Sequence, residues 1–182
     1  MALLVAGVTP AAAQRTIDIG FGYQFVQSPT GIDGEDDRSY PLGLNADFSI
    51  GLAQGDASRF AVVGDIGWSH HFADDNGSHA FNIAGGLRAS FGGTAGAGFY
   101  GQALYGLVTE RQPQDTQSLY ETDGLILIEG GVEVPFRERV SWFGQGGVRI
   151  AQFGEFEREG VIIQRDSATG FRIVVGVRVD TR

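Results

Sequence analysis

From Ile17 onward the chain alternates. In Ile17-Asp18-Ile19-Gly20-Phe21-Gly22-Tyr23-Gln24-Phe25 every odd position is large and apolar or aromatic and every even one is small or polar. A period of two belongs to strands, not helices. Leu42, Leu44, Ala46, Phe48, Ile50 and Leu52 repeat it against Gly43, Asn45, Asp47, Ser49 and Gly51, and a third stretch runs from Phe60 to Phe72. A fourth, His79 to Phe91, sets Phe81, Ile83, Leu87 and Phe91 against Asn82, Gly86, Arg88 and Ser90. The fifth, Ala97 to Thr109, alternates less cleanly because Tyr100 and Leu104 share a parity with Gln102 and Gly106. Thr122 to Val134, Arg139 to Phe153 and the run Phe171, Ile173, Val175, Val177, Val179 complete eight predicted strands. At roughly ten to thirteen residues, each reaches the ~9–11 residues that a tilted strand needs to cross a bilayer.

The connections alternate too. Ser28 to Tyr40, Glu110 to Glu121 and Gly154 to Ala168 are long and polar, whereas Gln54 to Arg59, Gly92 to Gly96 and Pro135 to Glu138 are short. Ala73 to Ser78 is a short link on the long-loop side and carries an Asn76-Gly77 turn signal. Tight turns at one end and long loops at the other suit an up-and-down antiparallel barrel of the outer-membrane kind.

Volume decides which face points inward. An eight-stranded barrel has an interior just filled by side chains or one small ligand. Phe21, Tyr23, Phe25, Phe48, Trp68, Phe81, Trp142 and Phe171 would crowd it, so this apolar set is assigned to the lipid side and the glycines, small polar residues and charges to a polar lumen. Charges inside must be paired. A register set by the Asn76-Gly77 hairpin puts Arg88 opposite Val63 and diagonal to Asp65, in one layer with Asp47. On the closing seam Asp18 is expected to meet Arg178, and Glu129 and Glu133 lie on the strand beside Arg149. These eight residues form the predicted lumenal ion-pair network, a structural device that leaves at most a narrow channel.

Composition adds location. The first thirteen residues carry no side-chain charge, and Ala2 to Val8 followed by Ala11-Ala12-Ala13 has the apolar run and A-x-A-like site of a secretory signal. Residues 1–13 are therefore expected to be a signal peptide and 14–182 the barrel domain. There is no cysteine, so disulfides and thiolate metal sites are excluded. The thirteen basic residues are all arginine and scattered, and the formal charge is −9, which argues against nucleic acid as a partner.

With Phe99-Tyr100-Gly101-Gln102-Ala103-Leu104-Tyr105-Gly106 as one of its wall strands, residues 15–182 resemble the small bacterial outer-membrane β-barrels, OmpA-like or OmpX-like. The resemblance implies insertion by the barrel-assembly machinery, residence among outer-membrane lipid and lipopolysaccharide, and work as an anchor, adhesin or narrow channel. One departure is the end of the last strand, Val179-Asp180-Thr181-Arg182, where that family usually has an aromatic residue.

Other motifs carry less. Gly96 to Gly101 fits G-x-G-x-x-G but opens a strand, not the helix a dinucleotide site needs. His70 and His79 are expected on the outer face and His71 inside, which disperses a three-histidine metal site. Ser69, His71 and Asp65 would need closer approach than strand spacing gives to act as a hydrolase. Asp33, Glu35, Asp36 and Asp37 form an acidic loop without EF-hand spacing, read as solvated and, if external, able to share divalent cations with lipopolysaccharide phosphates. Trp142 with Phe60, Phe91, Phe99 and Phe136 suggests an interfacial girdle. No catalytic group, cofactor or metal is assigned. The function expected is structural, adhesive or surface-interactive. A secreted soluble barrel binding a small apolar ligand and an outer-membrane lipid-modifying hydrolase are the alternatives.

Overall fold

The computed structural model describes residues 17–28, 38–55, 58–72, 77–92, 96–113, 118–152, 155–158, 161–164 and 167–181. The expected signal segment, residues 1–13, and the acidic residues Asp33, Glu35, Asp36 and Asp37 lie outside the described residues. Eleven strands are present among those described: β1 (Ile17–Ser28), β2 (Arg38–Tyr40), β3 (Leu42–Gln54), β4 (Ser58–His71), β5 (Ser78–Gly92), β6 (Gly98–Pro113), β7 (Ser118–Arg137), β8 (Val140–Gln152), β9 (Glu155–Arg158), β10 (Val161–Gln164) and β11 (Ala168–Asp180).

Eight of these make the wall. Each pairs antiparallel with its neighbour in the order β1-β3-β4-β5-β6-β7-β8-β11, and β11 pairs back onto β1, which closes the sheet. Pro41 separates β2 from β3, and β2 also lies along β1. Strands β9 and β10 form a separate hairpin in the segment before β11.

Stagger sets the barrel's width. Passing from partner to partner, Ile17 leads to Ile50, Val62, Leu87, Ala103, Ile128, Val148 and Phe171 in turn, and Phe171 pairs with Gln27. One circuit thus returns to β1 ten residues further along. With ordinary strand spacings this stagger gives a tilt of about 40° and a backbone radius of roughly 8 Å. So narrow a lumen lets side chains from opposite walls touch. Close backbone approach is bought by glycine at some seams: a Cβ on Gly176, opposite Gly22, would run into the Phe21 carbonyl. Gly92, at the tight β5–β6 connection, has φ of 78°, a conformation that glycine adopts without strain.

The outer face is apolar along every wall strand. Phe21 is 62% exposed, Leu44 63%, Leu87 61% and Tyr105 63%. Their partners in the alternation are buried, including Asp18, Gln24, Asn45, Asp47, Asp65, Arg88, Gln102, Glu129, Gln145, Arg149, Arg172 and Arg178. A water-soluble barrel would reverse these two faces. At the tight-turn end Phe60, Phe91, Phe99, Phe136 and Trp142 are exposed, with Phe136 stacked on Trp142 at 5.3 Å. Among the described residues no helix is long and apolar enough to cross a membrane.

Candidate functional site

Halfway along the barrel, Arg172 of β11 reaches across the lumen. It is 1% exposed, a position tolerated only if every donor is used. The guanidinium binds Asp65 through Nη1 at 2.8 Å and Nη2 at 3.0 Å, and Glu129 through Nε at 2.7 Å and Nη2 at 2.8 Å. Its fifth hydrogen bond goes from Nη1 to Gln24 Oε1 at 3.5 Å. Each carboxylate is then finished by amides. Asn45 and Asn82 donate to Asp65, each at 2.9 Å, and Gln102 and Gln145 donate to Glu129 at 2.7 and 3.2 Å. Each of the eight wall strands contributes one side chain to this layer, which spans the lumen.

A second layer lies nearer the tight turns. Asp47 accepts hydrogen bonds from Arg88 at 2.5 Å and Arg178 at 2.7 Å, and Arg178 also binds Glu133 at 2.7 Å. The Tyr100 ring lies under both guanidiniums, 4.8 Å from Arg88 and 5.2 Å from Arg178, while Phe143 meets Arg178 at 4.6 Å. Beyond this layer a cavity of about 590 Å³ opens at the turn end, and there Asp18 pairs with Arg59 at 2.7 Å and accepts from Ser49 at 3.0 Å. Toward the loop end, Arg149 binds Glu110 at 3.4 Å.

Several expected pairings differ. Arg88 faces Ala61, not Val63, because the β4–β5 ladder ends at His71–Ser78 and leaves a six-residue connection; the shift of two residues keeps the faces but moves every partner. Asp18 lies across from Asp180, and Arg178 across from Gly20, so Arg178 extends over the glycine to Asp47 while Asp18 takes Arg59. Arg149 lies beside Leu127 and turns to Glu110, which leaves Glu129 to Arg172 and Glu133 to Arg178. Asp47 and Asp65 stand directly opposite each other on β3 and β4. Their repulsion is relieved because Asp47 is bound by Arg88 and Arg178 and Asp65 by Arg172. Nor is the inward set all polar: Val63, Ala84, Leu104, Val108, Leu125, Leu127 and Ala151 form a buried apolar cluster.

The ion-pair network predicted from the sequence does not contain Arg172. Its signal is there, since it shares inward parity with Arg178 and sits mid-strand on the closing strand, where a charge has no water to reach.

The hydrolase arrangement is absent. Ser69 accepts from Gln24 at 2.8 Å, His71 Nδ1 lies 2.5 Å from the Ser39 carbonyl, and Asp65 is held by Arg172 and the two asparagines. Among the described residues no group of three or more His, Asp or Glu converges on one point as a metal site. His70 and His79 do meet, with their Nδ1 atoms 3.1 Å apart on the outer wall.

The sequence matches no described protein family, and no curated protein matches it either. Solved structures do match in fold. Neisserial surface protein A is similar over 91% of this chain and 96% of its own at 14% identity, with a TM-score of 0.59. Ail, the attachment invasion locus protein of Yersinia pestis, is similar over 90% and 97% at 13% identity, with a TM-score of 0.55. A second structure of Ail, in complex with the heparin analogue sucrose octasulfate, gives 11% identity, 90% and 98% coverage and a TM-score of 0.57. The chain has the eight-stranded fold of these small barrels.

Proposed function

We propose that the chain is an outer-membrane barrel whose lumen is structural and whose activity is interaction at its loop-end surface. The observation that carries this reading is the Arg172 layer. It blocks the middle of the lumen with paired charge, which argues against a transport route and leaves the exterior as the working surface. Residence in the outer membrane accords with the apolar belt, the closed sheet, which lipid demands of any strand structure, and the likeness in fold to small outer-membrane barrels. Insertion by the barrel-assembly machinery, contact with lipopolysaccharide, and export through the leader at residues 1–13 belong to the same reading.

Charge distribution indicates the partner's chemistry. Segments 28–40, 73–78, 110–121 and 154–168 hold thirteen acidic residues and four arginines, so the formal −9 resides there and the rest of the chain is balanced. Such a field draws cationic partners and repels polyanions that lack bridging cations, so contact with lipopolysaccharide phosphates runs through shared divalent cations. The adhesive role is thus proposed toward basic protein surfaces, not toward a sulfated glycan of the kind seen with Ail.

Membrane fractionation with heated and unheated gel mobility tests the barrel, and planar-bilayer recording tests the lumen. Membrane partition, a heat-dependent shift and no steady open conductance are expected. A detergent-free soluble protein, or a stable open pore, overturns the reading. For the surface, replacing Asp33, Glu35, Asp36 and Asp37 by their amides is expected to weaken binding to a polylysine-coated surface and to flatten its salt dependence.

A further inference from the structure

Lipid-facing walls are built from apolar side chains, and paired imidazoles are foreign to them. His70 and His79 are direct cross-strand partners on β4 and β5, both half-buried, on the outer face toward the loop end. Their Nδ1 atoms are 3.1 Å apart and their ring centres 4.5 Å. A nitrogen pair collinear with its ring centres would hold those centres farther apart, so the rings are bent toward one another about the nitrogens, with planes tilted by 33°, and the two nitrogens can point toward a common atom.

We propose that His70 and His79 form a two-histidine chelate for a divalent transition-metal ion of the copper or zinc type. An ion bonded to both nitrogens at about 2.05 Å would set them about 2.9 Å apart at a right angle and about 3.3 Å apart at the tetrahedral angle. The observed separation lies between the two. With each ring centre about 3.2 Å from the ion, a right angle sets the centres about 4.5 Å apart and the tetrahedral angle about 5.2 Å, so the observed 4.5 Å fits square-planar copper, and tetrahedral zinc requires the rings to open by several tenths of an ångström.

The pair is held in place before any ion arrives. Trp68 stacks on both rings, 6.1 Å from His70 with planes 6° apart and 5.7 Å from His79, and Phe72 abuts His70 edge-on at 4.5 Å. Gly77 leaves the space that the His70 ring occupies; a Cβ there would collide with it. Without metal, Nδ1 of one imidazole donates to Nδ1 of the other; an ion takes both nitrogens when that proton passes through water to Nε2 of its own ring, which leaves two neutral imidazoles with both Nδ1 lone pairs free. Arg111 lies across from His79 on β6 and lowers the affinity, whereas the acidic loop end concentrates cations nearby. Water supplies the remaining coordination positions, since no third ligand converges among the described residues. Neutral imidazoles and the Irving–Williams order favour copper over zinc.

The test uses the full chain folded in detergent, with heat-dependent gel mobility verifying the fold of every variant. Copper titration followed by electron paramagnetic resonance is expected to show one ion per chain coupled to two nitrogens, displaced by excess zinc. His79→Ala is expected to weaken binding by more than about tenfold, the smallest loss typical even of an outer-shell partner. The double variant His70→Ala/His79→Ala is expected to abolish it, and His71→Ala to leave it within about twofold. Should the double variant fail to fold, nitrogen-15 histidine spectra of the unaltered chain decide, with zinc expected to shift two of three histidines at Nδ1. Equal copper binding by the folded double variant, no saturable binding by the folded natural chain, or a zinc shift on all three histidines or on none overturns the proposal.

Discussion

Two parts of one lumen are filled by different chemistry. In one, Asp47, Asp65, Arg88, Glu129, Arg172 and Arg178 are joined by directional ion pairs. In the other, Val63, Leu104, Val108, Leu125 and Leu127 pack as any core would. Both sets point inward and both are buried, so inward parity specifies enclosure and leaves polarity to local partners. The difference lies in tolerance. An apolar cluster that is truncated loses the burial of the atoms removed and gains a cavity, whereas a charge layer that loses one member leaves uncompensated charge behind.

The largest effect is expected at the centre of the charge layer. Arg172→Met leaves Asp65 and Glu129 facing one another without a cation, and urea unfolding in detergent is expected to show a loss of about 3–5 kcal/mol. Combining it with Asp65→Asn and Glu129→Gln removes the orphaned charges and is expected to restore most of that loss. If the triple variant is no more stable than Arg172→Met alone, the layer is held by packing and the contrast between the two regions collapses.

Leu127 tests the other region. Truncation to Ala opens space in a fully buried cluster and is expected to cost about 3 kcal/mol, within the usual range for a core leucine. Its neighbour Ile128 is 56% exposed on the outer face at the same depth. Ile128→Arg places a charge against lipid at mid-barrel and is expected to cost about 2–3 kcal/mol in lipid vesicles and much less in a detergent that hydrates the arginine. Equal costs in both media would mean that this face does not meet a bilayer.

Faces were legible in the sequence and partners were not. Alternation separates Phe21 from Gly22 and Ile128 from Glu129 because one step along a strand reverses the side chain. Register has no comparable signal. The Asn76-Gly77 pair suggests a tight hairpin, yet the ladder stops at His71 and Ser78, and the two-residue error puts Arg88 beside the wrong neighbour. Neighbour reasoning also fails physically in so narrow a barrel. Arg172 on β11 reaches Glu129 on β7 past the intervening β8, and Arg178 reaches Asp47 on β3 past β1. A long guanidinium in a lumen of roughly 8 Å radius is not confined to adjacent strands. The inward placement of apolar Leu125 and Leu127 is hidden in the sequence for another reason. They sit in Leu125-Ile126-Leu127-Ile128, where both faces are apolar and alternation is silent.

The smallest effect is expected where the ionic region meets water. Arg59 binds Asp18 at 2.7 Å, as short as the Arg172 contacts, but its side chain is 23% exposed at the turn-end cavity. Water can solvate either partner once the other is gone, and salt screens the pair. Arg59→Ala is therefore expected to cost less than about 1 kcal/mol, and that cost should shrink further when the unfolding series is repeated at high salt. Arg172→Met should keep its full cost in the same buffer, because the side chains of Arg172, Asp65 and Glu129 are at most 1% exposed. Matching salt dependence in the two variants would mean that solvent reaches the middle of the barrel, and the blocked lumen on which the interaction function rests would fall with it.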